Sequence, residues 1–418
     1  MPHQVSNPEA ARQFAVDVVS RLRAAGHEAL WAGGCVRDEL LGRIPADYDV
    51  ATAAKPDEVR RVFGHGRTLA VGAAFGVITV LGPKGAGPIE VATFRTDAAY
   101  TDGRHPAGVT FSTAPEDAQR RDFTINGLFF DPLTGEVHDY VGGRADLAAG
   151  VVRAIGVPAM RFGEDHLRML RAVRFAAAFG FALDGETRAA IERMTHLVTT
   201  VSPERIAAEL RAMVSRPGRR RALELLAETG LAKEVLPEIA PGAAGDSAAA
   251  AAAWGEVARI IDALDEPSLA SALAALYEPA GAAPLRQAAN RLRLSNREVK
   301  LAAWLHQAVA MCDGADMAGR PWSEVQPWLA HEDAFLLADL LRARADCGRG
   351  DAATAAWVTA QIARPRAELD PPPLLTGADL LAAGVAAGPA MGATLARLRA
   401  LQLDGEIATR EEAIARVT

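Results

Sequence analysis

Cysteine is scarce in this chain: Cys35, Cys312 and Cys347 are widely spaced and unpaired in pattern along 418 residues. Neither a disulfide framework nor a zinc site is therefore expected to organise the fold. Aromatic side chains are also few, at 6%, whereas half the residues are hydrophobic and Ala and Leu abound. That mix favours helices over an all-β design. There is no uninterrupted apolar run of about 18 residues, so no transmembrane helix is expected. The opening MPHQVSNPEAARQF lacks a basic-then-apolar signal pattern, and a cytoplasmic protein is the default expectation. Excess positive charge is missing as well. The net charge of −7 argues against indiscriminate nucleic-acid binding but leaves room for a local basic surface. The length is enough for more than one domain with a sizeable core.

What is present centres on GGCVRDELLGRIPADYDVAT, Gly33 to Thr52. Two glycines lead into Arg37 and Asp38, and a short helical stretch, Glu39 to Leu41, ends at Gly42. Ala46 to Val50 then reads as the start of a strand. Alternation along a strand sends Asp47 and Asp49 to one face and Tyr48 to the other. Two neighbouring carboxylates repel unless a cation lies between them. Hard oxygen donors of this kind suit Mg²⁺, which takes one or two protein carboxylates and fills its other positions with water and phosphate oxygens. Glycines let a phosphate approach the backbone, and Arg37 offers a charged donor. An Asp-x-Asp pair alone is commonly just a solvated turn. The whole ordered string is far more specific, and it points to nucleotide chemistry with a metal.

Apolar spacing predicts a helix over Pro8 to Ala25, a strand at Ala29 to Ala32 and a short helix over Pro56 to Phe63. Phe75 to Leu81 and Pro88 to Phe94, joined by a Gly-rich link, form a hairpin signal. Glu90 is out of place on a core face between Ile89 and Val91, which makes it a candidate third acid for the metal site; an exposed strand face explains it equally well. Arg95 to Ala107 is polar and aperiodic and reads as a mobile loop. Gln119 to Phe130 carries two arginines, Arg120 and Arg121, before an acid and then a run of large residues, which fits a phosphate-contacting site set against the sheet; a surface salt-bridge patch before a buried element is the plainer reading of the same residues. Phe129 to Tyr140 reads as a second hairpin. Beyond Val151 the strand signals stop, and helices broken by Gly and Pro are expected, with starts at Pro203 and capping boxes at Thr376 and Thr409.

Arg161 to Phe175, RFGEDHLRMLRAVRF, wound as one helix, gathers Leu167, Met169, Leu170 and Val173 on one side. Asp165, Arg168, Arg171 and Arg174 step along another, so Asp165 and Arg168 become neighbours. Spacing alone supports only a surface ion pair worth under roughly 1 kcal/mol. The chemistry suggests more. A carboxylate offers acceptors and a guanidinium donors. Together they match a base edge bearing an amino group beside a ring nitrogen, as in cytosine and adenine. Guanine and uracil would be left with unpaired groups, and discrimination of this kind can be large.

Taken in order, GGCVRDELLG…DYD, RRDFTIN, EDHLRMLRAVRF and VSPERIAAEL resemble the motifs of the class II tRNA nucleotidyltransferase and bacterial poly(A) polymerase family. The similarity covers roughly residues 8 to 230, with a looser match in the C-terminal TGADLLAAG and LQLDGEIATREEA. The resemblance implies an α+β fold: an N-terminal nucleotidyltransferase (polymerase beta-like) mixed sheet with flanking helices, followed by an all-α neck, body and tail. The corresponding segments are 1–150, 151–216, 217–369 and 370–418. It implies nucleotide contacts at Gly34, Arg37, Arg121, Asp165, Arg168, Arg171 and Arg174, and Mg²⁺ at Asp47 and Asp49. The implied reaction is template-independent addition of CMP and AMP, from CTP and ATP, to the 3′ end of tRNA, with pyrophosphate leaving and the helical half holding the tRNA. A poly(A) polymerase shares these head motifs, but Gly72 to Val80 lacks the basic strand common in those relatives. The loop from Arg95 speaks against a CC-only enzyme and leaves an A-only enzyme open. A non-catalytic RNA-binding protein on the same scaffold is the reading from another class, and the presence of both Asp47 and Asp49 argues against it.

Overall fold

The computed structural model describes residues 7–97, 108–241, 247–314 and 316–417. The chain divides into two compact units, residues 1–213 with 221–237, and residues 214–220 with 238–418.

The first unit is built on seven strands: β1 (Ala29–Ala32), β2 (Asp49–Thr52), β3 (Thr68–Leu69), β4 (Val77–Leu81), β5 (Pro88–Thr93), then Leu128–Asp131 and Glu136–Asp139. Two short ribbon strands, β6 (Arg95–Asp97) and β7 (Val109–Phe111), pair apart from the sheet, which makes the last two sheet strands β8 and β9. The sheet order is β3-β4-β5-β2-β1-β8-β9. β2 and β5 run parallel, with Asp49 opposite Glu90, and the other pairs are antiparallel. This is the mixed sheet that the resemblance implies.

Every residue of β1 is buried, as expected of a central strand covered on both faces. Leu30, Ala32, Ala51, Phe94 and Phe129 pack with Ala114 and Ala118 on one face. Helix α1 (Pro8–Ala24) is capped by Asn7 and buries Phe14, Val18, Val19 and Leu22. Both expected hairpins form, as β4–β5 and β8–β9.

Four local expectations need correction. Helix α2 begins at Gly34 and runs to Leu40, rather than starting at Glu39. Gly34 is thus already helical, while Gly33 supplies the positive φ of 77° that only glycine adopts easily. Asp47 lies just before β2 rather than within it. Arg95 to Asp97 is strand rather than loop, and the rest of the expected loop, from residue 98 to 107, lies outside the described residues. After Val151 one parallel ribbon remains, β10 (Val151–Val152) with β11 (Ala182–Leu183).

The second unit is helical. Leu269–Leu276 is buried at every position, the signature of a helix surrounded by others. The last helices, Gly377–Ala382, Pro389–Leu403 and Arg410–Ala415, close over Leu375, Leu380, Leu398, Ile407 and Ala413. Capping boxes start the first and third of these. No helix among the described residues is long and apolar enough to cross a membrane.

Phe129 is fully buried between sheet and helix. Phe129→Ala should lower stability by about 3–5 kcal/mol, measured as loss of urea resistance by hydrogen exchange in β1 and β8.

Candidate active site

The carboxylates come together at the open end of β2. Tyr48 is buried and donates its hydroxyl to Glu39 at 2.9 Å. Asp47 and Asp49, on either side of it, are exposed. On β5, Ile89 and Val91 are buried while Glu90 is exposed and in register with Asp49. The Asp49 side chain reaches solvent, yet protein atoms crowd its carboxyl and withdraw it from bulk water. That withdrawal, followed by the negative charges of Asp47 and Glu90, pushes its pKa up to about 7 against the pull of Arg121. A carboxylate held this way gains most from a cation. The donor set therefore fits a hard divalent ion. Among the described residues no three His, Cys, Asp or Glu side chains gather closely enough to hold a metal on their own. An ion at Asp47 and Asp49 would fill its remaining positions with water and phosphate oxygens, in keeping with magnesium.

Arg121 is the cation nearest in effect to these acids. It stems from the turn after α4 (Ala114–Gln119), the α-helix that follows α3 (Pro56–Phe63) in the chain. Its fork binds Asp117 at 3.1 and 3.0 Å and its guanidinium lies 4.8 Å from the centre of the Phe129 ring. A Cβ on Gly33 would stand 2.9 Å from Nη1 of Arg121. The first glycine of the pair is required by its φ of 77°, and a side chain there would also displace the tip of Arg121. Gly34 follows it as the first residue of α2.

Arg37, on α2, is buried, and its donors are taken by Asp38 (2.9 Å from Nε) and Asn126 Oδ1 (2.6 Å). It also rests on the Phe179 ring at 4.5 Å. In this structure it braces the turn rather than opening toward solvent. Asn126 passes the connection on, donating to Asp122 at 3.1 Å. Asp122 in turn accepts both arms of Arg171, at 2.9 and 2.6 Å. Burial alone would raise the Asp122 pKa. The Arg171 charge and hydrogen bonds, with help from Asn126 and Arg168, outweigh burial and hold it at about 2.

Arg171 belongs to the second informative stretch, which is not one helix. Helix α5 is Gly143–Ala149. Helix α6 (Pro158–Glu164) ends at Asp165, whose backbone is extended, and α7 restarts at Leu167 and runs to Phe179. Asp165 is thus at a break, and its carboxylate accepts the Leu167 N–H at 3.0 Å. The expected side-by-side pairing with Arg168 does not form. Asp165 binds Arg205 at 2.7 Å, whereas Arg168 binds Glu164 at 2.6 Å and the carbonyl oxygens of Arg161 and Arg120. Arg174 binds Glu209 at 2.6 Å. Arg37, Arg171 and Arg174 all lie against the Phe175 ring.

The structure therefore brings Gly33, Gly34, Arg37, Arg121 and Arg171 into one linked framework beside Asp49, and attaches Arg168 to it through the Arg120 carbonyl. Sequence reasoning passed over Asp117, Asp122, Asn126, Glu164, Arg205 and Glu209 as partners. All but Asp117 lie inside the quoted motif strings, but their pairing depends on which elements meet.

Residues 29–153 match the model of the poly(A) polymerase head domain, and residues 180–242 match that of a probable RNA- and SrmB-binding site of polymerase A. The CCA-adding enzyme of Anoxybacillus flavithermus (strain DSM 21510 / WK1) is 44% identical over 227 residues, 54% of this chain and 56% of that protein. That of Bacillus subtilis (strain 168) is 43% identical over 222 residues, 53% of this chain and 55% of that protein. The chain thus aligns with just over half the length of these curated relatives. The crystal structure of the Bacillus stearothermophilus CCA-adding enzyme in complex with CTP superposes with a TM-score of 0.76 at 30% identity, covering 97% of this chain and 96% of that one. The Thermotoga maritima CCA-adding enzyme complexed with tRNA shares the fold, with a TM-score of 0.64 at 19% identity and coverage of 97% and 94%.

The raised Asp49 pKa has a stability consequence. Below the ordinary carboxyl value of 3.8 the group is protonated whether folded or unfolded and contributes no penalty; as pH rises through about 7 the folded state must carry the crowded charge. Asp49→Asn should therefore raise the melting temperature at pH 8 in chelator, with the gain fading toward pH 4. Adding Mg²⁺ at pH 8 should stabilise the unmodified chain and leave the variant unmoved.

Proposed function

This chain belongs to the family of CCA-adding tRNA nucleotidyltransferases and bacterial poly(A) polymerases, and on that premise we propose that it adds CMP and AMP to the 3′ end of tRNA without a nucleic-acid template. The observation that carries this reading is the hydrogen-bonded chain Arg37–Asn126–Asp122–Arg171, beside which the Arg121 charge acts on Asp49. It relates a cation-seeking pair of acids to α7, the helix that carries Arg168 of the nucleotide-reading motif. A catalytic site and a reading site held on one rigid frame are what templating by protein side chains requires, because small misplacements at the reacting centre are costly.

In this reading the 3′-hydroxyl of tRNA attacks the α-phosphate of CTP or ATP, and pyrophosphate leaves. Asp47 and Asp49 would hold Mg²⁺, with Glu90 in register beside Asp49 on the neighbouring strand. When bound, the metal neutralises charge on the phosphates and makes the hydroxyl a better nucleophile. Arg121 and Arg171 approach the triphosphate, each exchanging part of its hold on Asp117 or Asp122 for phosphate oxygens. Gly34 and Arg37 shape the turn beneath, and Arg174 anchors the far end of α7 through Glu209. Asp165 supplies the acceptor for the base amino group, and Arg168 the donor once it leaves Glu164. The neck, body and tail segments hold the tRNA chiefly by its backbone, in the cytoplasm, where tRNA and nucleotides are abundant.

The test uses tRNA transcripts lacking CCA, ending in one C, or ending in CC, each offered labelled CTP or ATP. Incorporation of both C and A, in order, is expected. A alone on the CC-ended transcript would mark an A-adding enzyme, and long A tails on unrelated RNA a poly(A) polymerase; either overturns the proposal. Asp47→Ala should reduce incorporation by about 1000-fold or more while leaving the melting temperature within a few degrees, whereas full incorporation by this variant would remove Asp47 from the metal site.

A further inference from the structure

The guanidinium that meets Asp165 in this structure comes from a different helix than the motif suggests. Helix α8 is Gly185–Met194, and α9 (Pro203–Val214) follows, its start set by Pro203 at the first helical position. Arg205, in the first turn of α9, places Nη2 2.7 Å from Oδ2 of Asp165. The other carboxylate oxygen, Oδ1, accepts the Leu167 N–H at 3.0 Å. The two oxygens are thus anchored separately, from two elements. A carboxylate held at both ends cannot swing about its terminal bond, yet each oxygen keeps a second lone pair for another donor.

We propose that Arg205 is a positioning residue for nucleotide selection, fixing the Asp165 carboxylate as an oriented acceptor for the amino group of cytosine or adenine. This rests on the reading of the chain as a C- and A-adding enzyme. Two neighbours give the clamp its purpose. Arg168 is drawn away by Glu164 at 2.6 Å and by two carbonyl oxygens, so it does not orient Asp165 here. The positive charge of Arg171 also acts on Asp165, and a loosened carboxylate would have these cations to turn toward. The backbone at Asp165, at φ −146° and ψ 105°, interrupts the helix and leaves the side chain without the restraint of a continuous turn. Arg205 replaces that restraint. Its side chain is 25% exposed and that of Asp165 17%, so the pair is shielded enough for geometry to matter while remaining open to a ligand.

A pair that merely ties α9 to the α6–α7 break would affect all nucleotides alike, and this separates the two roles. The full chain carrying Arg205→Ala or Arg205→Lys is given a tRNA transcript lacking CCA or ending in CC, with CTP, UTP, ATP and GTP separately. Values of kcat/KM and nucleotide binding are measured, with thermal melting as a check on folding. Arg205→Ala should lower the preference for CTP over UTP and for ATP over GTP by about 10- to 100-fold. Arg205→Lys, which keeps the charge but not the planar fork, should recover part of it. Arg188→Ala, which breaks a surface pair with Glu192, should leave both preferences unchanged. A uniform fall for all four nucleotides, or no change, would overturn the proposal. If Arg205→Ala does not fold, an unaltered preference in Arg205→Lys does the same. A wild-type chain with no preference for CTP and ATP would instead defeat the functional reading itself, and this inference with it.

Discussion

The Asp122 carboxylate, gripped by both arms of Arg171 and by the Asn126 amide, is the interaction on which the site depends. An isolated buried carboxylate would be expensive, and removing one partner would leave the other charge stranded. Met by a fork and an amide, it becomes a junction. On one side Asn126 reaches Arg37 and the glycine turn; on the other Arg171 fixes α7. This junction joins the segment bearing Arg120 and Arg121 to α7, alongside the Arg168 bond to the Arg120 carbonyl and the Phe123–Phe175 ring contact.

A second theme is that nearly every arginine in the framework is already engaged. Arg37 has Asp38 and Asn126, Arg121 has Asp117, Arg168 has Glu164, Arg171 has Asp122 and Arg174 has Glu209. Phe175 and Phe179 support several of them from beneath. Such pairing holds long cationic side chains in defined rotamers, so less freedom is lost when a phosphate arrives. It also keeps a chain of net charge −7 from binding polyanions indiscriminately, since a ligand must compete with carboxylates already in place. The acids work in the opposite sense. Among the described residues, Arg121 offsets the charges of Asp47 and Glu90 on Asp49 only in part, and withdrawal from water together with those charges raises Asp49 to about 7.

Local patterns were legible wherever a short stretch carried its own signal. Pro56–Phe63 forms as read, both hairpins form, and the boxes at Thr376 and Thr409 cap their helices. Alternation about Tyr48 separated the buried ring from exposed Asp47 and Asp49, and Glu90, read equally as a metal acid or as an exposed strand face, stands exposed. The failure at Asp165 is instructive. The apolar face read for RFGEDHLRML rests on Leu167, Met169 and Leu170 alone, while Gly163 and the polar run Glu164 to His166 before them leave the helix start unmarked. At the break the Asp165 carboxylate accepts the Leu167 N–H, next to the His166 cap of α7, and Arg205 binds its other oxygen. Local hydrogen bonding of this kind competes with the helix and is settled by tertiary partners.

The amino-acid sequence by itself determined which chemical groups are available and in what order: paired acids after a glycine turn, a double arginine before an acid, and a carboxylate three residues ahead of a guanidinium. Those are properties of covalent spacing and of side-chain periodicity. Only the tertiary structure decided which acid each arginine answers to, because Asp122 meets Arg171 across 49 residues and Asp165 meets Arg205 across 40. Charges separated that far along a chain are brought together by the packing of distant elements on one another, and no periodicity within either segment encodes the partner.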